Sequence, residues 1–149
     1  MHTRALLDQY PAEISVDREL LARAIEATAA CAQACTACAD ACLSEDDVAA
    51  TTRCIRDDLD CADVCQTASR VLSRHTGYDA RLTRAVLQAC VQACTTCADS
   101  CGEHRDHHPH CATCEDACRD CRDACLELLG QIEPATDGGG SPQAAAPQG

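Results

Sequence analysis

From about Ser15 to Ile132 the chain sets its apolar and small residues at intervals that alternate between three and four. That spacing keeps side chains on one face of an α-helix. Polar or helix-breaking stretches interrupt it at Ser44 to Asp47, at Gly77 to Asp79 and at His104 to Pro109. Four helices are therefore predicted, over about 15–43, 45–74, 79–102 and 109–132, after an N-terminal extension of residues 1–14. Ser15 and Ser44 are candidate N-caps, the second followed by Glu45, Asp46 and Asp47, which complement a helix dipole. Gly77 supplies a stop, Asp79 a further cap, and Pro109 a first-turn residue. Residues 133–149 hold Gly, Pro, Ala and Gln without periodicity and are expected to form a disordered tail.

The residue on the buried face is mostly cysteine. The runs are Cys31, Cys35, Cys38, Cys42; Cys54, Cys61, Cys65; Cys90, Cys94, Cys97, Cys101; and Cys111, Cys114, Cys118, Cys121, Cys125. Ala30 to Cys42 lines up with Ala89 to Cys101, and Cys54, Cys61 and Cys65 map onto Cys114, Cys121 and Cys125, so the chain is two copies of a helical hairpin. In that register Asp58 stands opposite Cys118 and Thr51 opposite Cys111, so helix two lacks two stripe thiols. The expected fold is all-α, an antiparallel up-down-up-down four-helix bundle with a cysteine-lined core.

The stripes are off-centre. Away from the cysteines the same faces carry Leu20, Leu21 and Ala24, then Ala68 and Leu72, then Leu82, Val86 and Leu87, then Leu128, Leu129 and Ile132. In this topology they share one end, a hydrocarbon plug. The opposite end holds Cys42, Cys54, Cys101, Cys111 and the link with His104, His107, His108 and His110, which makes it the mouth.

Composition sharpens the picture. No Phe, no Trp and a single Met leave a core of small side chains and thiols, which is expected to be underfilled as a bare protein. The net charge of −12, with twelve arginines and no lysine, argues against nucleic acid or an anionic membrane surface as partner. The N-terminal residues show no signal-like apolar run and no stretch approaches transmembrane length, so a cytoplasmic location is expected, with the thiols reduced.

Thiolate is the soft ligand that selects Cu(I), Zn(II) or iron–sulfur clusters. Charge separates these candidates. Sixteen buried thiolates carry sixteen negative charges, and four Zn(II) ions in Cys₄ sites offset only eight, whereas about one Cu(I) per thiolate leaves a neutral interior. Cu(I) also tolerates two- and three-coordinate sites. A disulfide scaffold is short, loop-rich and secreted. Ferredoxin clusters use a Cys-x₂-Cys-x₂-Cys-x₃-Cys-Pro run in loops that is absent here. Structural zinc, using Cys-x₂-Cys pairs such as Cys35 with Cys38, and a thiol redox buffer or switch stay as alternatives. The four histidines of the link fit either a solvated connection or metal contacts, while His2 and His75 fit a bland role. Asp58 fits either a metal site in the core or a hydrated carboxylate beside Asp57 and Asp60.

The Cys-x₃-Cys-x₂-Cys-x₃-Cys runs at Cys31 to Cys42 and Cys90 to Cys101, with the longer run at Cys111 to Cys125, resemble the bacterial copper storage proteins, most closely their cytosolic branch. The resemblance spans about residues 15–132. It implies a non-enzymatic protein that stores many Cu(I) ions and detoxifies by sequestering them. It implies all sixteen cysteines as ligands, a homotetramer, and copper donor or acceptor proteins as partners. Exported members carry a twin-arginine signal and methionines near the mouth; this chain has neither, so access is expected at the histidine-bearing end.

Overall fold

The computed structural model describes residues 1–132 and Pro134; the expected tail lies outside the described residues apart from Pro134. Five α-helices and one 3-10 turn account for the regular structure: α1 Thr3–Asp8, α2 Arg18–Leu43, the 3-10 turn Val48–Thr51, α3 Thr52–Leu72, α4 Ala80–Gly102 and α5 Pro109–Leu129. Each long helix packs on its neighbours in the chain, and α5 closes back on α2, the arrangement of an up-down-up-down bundle. Among the described residues no helix is long and apolar enough to cross a membrane.

Local chemistry explains the boundaries. Asp17, not Ser15, caps α2, its carboxylate accepting from the Leu20 N–H at 3.0 Å. Ser44 ends α2 instead of starting the next helix: its N–H donates to the Ala41 carbonyl. The second start falls to Asp47, whose carboxylate accepts from the Ala50 N–H and opens the 3-10 turn, so α3 begins at Thr52 and not at residue 45. Ser44, Asp46 and Asp47 can each cap a helix, and only packing selects among them. Helix α3 stops at Leu72, short of residue 74; Gly77, with φ of 64°, makes the left-handed turn that follows. Asp79 caps α4 through the N–H groups of Arg81 and Leu82, and α4 ends at Gly102, as the sequence predicts. Helix α5 starts at Pro109 but ends at Leu129 rather than 132. A hydrogen-bonded turn still carries Ile132 into the core.

The plug forms as expected from Leu21, Ala24, Ala68, Leu72, Leu87, Leu128 and Ile132, all buried. Leu82 does not join it: it is 53% exposed, and Thr83 takes the inward position at the start of α4. The expected extension contains α1, a two-turn helix that packs along α2. Buried Leu7 anchors it, and the Arg18 guanidinium donates to the Leu7 carbonyl at 2.8 Å.

Candidate metal centre

All sixteen cysteines are free and buried. The three-and-four spacing on α2, α3, α4 and α5 turns every one of them toward the bundle axis. Next to the plug, Cys90 meets Cys125 at 3.7 Å, Cys65 at 3.5 Å and Cys121 at 3.9 Å. Toward the middle, Cys31 touches Cys35, Cys61, Cys94 and Cys118 at 3.8–3.9 Å. Cys35 in turn reaches Cys97 at 3.8 Å and Cys114 at 3.7 Å. Near the mouth, Cys54 and Cys101 are 3.3 Å apart and Cys38 and Cys111 3.9 Å. The thiols thus pack on one another along the whole axis, and the underfilled core expected from composition is not seen.

Donor atoms group in fours within 4.8 Å of one another: Cys31, Cys65, Cys94, Cys121; Cys31, Cys35, Cys61, Cys118; Cys35, Cys97, Cys114, Cys118; and Cys38, Cys42, Cys54, Cys111. The first three groups share members, and Cys101, 4.0 Å from Cys97 and 3.3 Å from Cys54, joins them to the fourth, so the donors form one continuous lining. With metal–thiolate bonds of about 2.3 Å, two sulfurs stand about 4.6 Å apart across a linear ion and about 4.0 Å around a trigonal one. The contacts, 3.3–4.0 Å long, reach the trigonal spacing and fall short of the linear one. Burial raises the Cys42 and Cys111 thiols above their ordinary range, as it does wherever an anion is cut off from water without a cation beside it.

Asp58 lies inside this lining. It is fully buried, which excludes the hydrated alternative, and it joins Cys38, Cys54 and Cys101 as a further group of four donors. The Cys97, Cys101 and Cys114 thiols donate to its Oδ1 at 2.9, 3.2 and 3.3 Å. Burial, followed by the charge of Cys114, pushes the Asp58 carboxyl up to about 8. Its neighbour Asp57 faces away, held by Arg53 and by the Ser100 hydroxyl. Thr51, the other gap in the repeat, is buried at the start of α3, and its hydroxyl donates to the Val48 carbonyl.

At the mouth the four histidines part company. His110 meets the thiols: its Nδ1 lies 3.4 Å from Cys38 Sγ and 3.6 Å from Cys111 Sγ. His108 stacks on His110 with centroids 5.5 Å apart, and His104 lies 6.1 Å from His108. His107 is exposed and outside this stack. Glu45, read from sequence only as a first-turn carboxylate, is the residue that the sequence reading missed. Its Oε2 is 2.7 Å from His110 Nε2 and 3.0 Å from His108 Nδ1. The hydrogen bond to His110 holds the Glu45 carboxyl below its usual range. The one available signal was its place in the turn at the same end of the bundle as the histidine link. His75 sits at the opposite end between Tyr10 and Tyr78, and burial lowers its pKa, in keeping with a bland role.

A four-helix bundle whose axis is a continuous column of free thiols defines a multi-ion metal-binding protein of the soft-ligand class. The sequence pattern of the copper storage protein family matches residues 17–130, and the chain belongs to that family. It is similar to the Streptomyces lividans copper storage protein Ccsp loaded with 10 copper equivalents, at 59% identity over 87% of this chain and 99% of that one, with a TM-score of 0.86. A structure on copper loading to a cytosolic copper storage protein from Streptomyces lividans, with five coppers, aligns at 60% identity over 77% and 96% of the two chains, TM-score 0.76. A mutant of Ccsp, a histidine-to-alanine variant, aligns at 59% identity over 80% and 100%, TM-score 0.79. No curated protein matches the chain significantly.

Proposed function

We propose that the bundle interior is a cytosolic store for many Cu(I) ions, with the sixteen cysteines as ligands, Asp58 and His110 as additional donors, and His104, His107 and His108 as the receiving surface at the mouth. The observation that carries this reading is the unbroken chain of Sγ atoms, 3.3–4.0 Å between successive contacts, from Cys125 beside the plug to the mouth. Each ion taken up converts a thiol to a thiolate and releases one proton, so the stored charge cancels as it accumulates. The function is sequestration without turnover. Copper delivered by a donor protein would leave to an acceptor by the same mouth, since hydrocarbon closes the other end. A homotetramer is proposed from the family resemblance alone.

Structural zinc is the second reading, favoured by the groups of four sulfurs within 4.8 Å. X-ray absorption on reduced protein loaded anaerobically with Cu(I) separates the two. The store predicts two- and three-coordinate copper in a mainly sulfur shell, with copper–copper scattering at high loading because the donor groups share members. Isolated four-coordinate sites without metal–metal scattering, filled preferentially by zinc, would overturn the store.

A further inference from the structure

Histidine ligates a metal only through a ring nitrogen without a proton, and which nitrogen that is depends on what the other one donates to. Glu45 Oε2 is hydrogen-bonded to His110 Nε2 at 2.7 Å and lies in close contact with His108 Nδ1 at 3.0 Å. An ionised carboxylate is an acceptor only. The proton of neutral His110 therefore sits on Nε2, and its lone pair sits on Nδ1, the atom 3.4 Å from Cys38 Sγ and 3.6 Å from Cys111 Sγ. The opposite tautomer would set a nitrogen lone pair against a carboxylate oxygen at 2.7 Å, two acceptors in repulsive contact. The same carboxylate, 3.0 Å from His108 Nδ1, disfavours a bare lone pair on that atom by the same repulsion and so favours the Nδ1–H form of neutral His108. Glu45 itself is anchored: its N–H donates to the Cys42 carbonyl at 3.2 Å, which fixes the turn on the end of α2.

We infer that Glu45 is a positioning residue for copper uptake, holding the stacked His108 and His110 in opposite tautomers so that neutral His110 presents an unprotonated Nδ1 to the outermost thiols. The inference rests on the proposed role of His110 as a donor at the mouth. A carboxylate behind a ligating imidazole fixes ring and tautomer, and its loss typically costs 10–100-fold in metal affinity or activity. Glu45 touches no thiol, so it sets the rate of uptake and leaves the capacity alone.

The test combines two readouts on reduced full-length protein. Long-range ¹H–¹⁵N spectra of the metal-free protein, above the histidine titration range, report the tautomers. His110 is expected as the Nε2–H form and His108 as the Nδ1–H form, with both becoming mixtures in Glu45→Ala. Cu(I) uptake from a chelated donor, followed by stopped flow, is expected to slow at least about 10-fold in Glu45→Ala. Glu45→Gln keeps an acceptor oxygen and is expected to recover most of the rate, and the final copper count stays that of the wild type in both. Unchanged tautomers in Glu45→Ala, or wild-type uptake by it while His110→Ala is slow, would overturn the role of Glu45 alone. Wild-type uptake by both variants would overturn the reading of the mouth on which it rests.

Discussion

Asp58 shows how one buried residue can cost the metal-free protein stability. Its carboxyl is pushed up to about 8, whereas in the unfolded chain it titrates in the ordinary range near 3.8. Between these values the folded protein holds a proton that the unfolded chain has lost. The contribution of Asp58 is therefore most favourable below about pH 4 and falls as pH rises toward 8, with a slope of up to about 1.4 kcal/mol per pH unit. Asp58→Asn keeps an oxygen facing the thiols but cannot ionise. Anaerobic urea unfolding of the metal-free proteins between pH 5 and 8 should show the wild type losing stability more steeply than the variant; parallel curves would contradict a protonated, buried Asp58. In the sequence this residue was visible only as a gap in the cysteine register, flanked by other aspartates. Its spacing from Cys54 and Cys61 put it on the stripe, but spacing alone does not show whether a carboxylate there is shut off from water or hydrated beside Asp57 and Asp60. His110 was visible in the same partial way: four histidines lay in the link, and the tertiary approach of Cys38 across the mouth singles out one of them.

The long helices were legible because each carries a stripe of one residue type over many turns, and a stripe fixes both the element and its buried face. Their starts were legible only where one candidate residue stands alone. Asp79 is such a case, accepting from the Arg81 N–H at 2.9 Å and the Leu82 N–H at 3.3 Å. Asp79→Ala should cost about 1 kcal/mol and lower the melting midpoint of the metal-free protein by roughly 4 °C, measured by circular dichroism at 222 nm. No loss would mean that packing, not the cap, sets the start of α4. At Ser44 to Asp47 competing caps hid the 3-10 turn, and α1 was hidden because six residues are too few to show a period. At the start of α4, Thr83 and not Leu82 lies inside because the alternating step runs back from Cys90 through Leu87 to position 83, one residue beyond Leu82.

At the scale of the whole molecule, the bundle exchanges an ordinary hydrocarbon interior for one of polarisable thiols, keeping aliphatic packing only at the plug. Free thiols behave as small hydrophobes and so can pack in a metal-free core. Once ionised they demand compensation at close range, because uncompensated charge in so buried a volume is very unfavourable. Overlap between donor groups is what turns separate sites into a store, since an ion bound at one group shares sulfurs with the next. The direct measurement of that claim is an anaerobic titration of Cu(I) into fully reduced protein, in competition with a strong Cu(I) chelator, counting ions held tightly per chain. Charge balance predicts a count near the thiol number, about sixteen. Saturation at about four or fewer, with zinc displacing copper, would contradict a shared copper core and leave separate Cys₄ sites in its place.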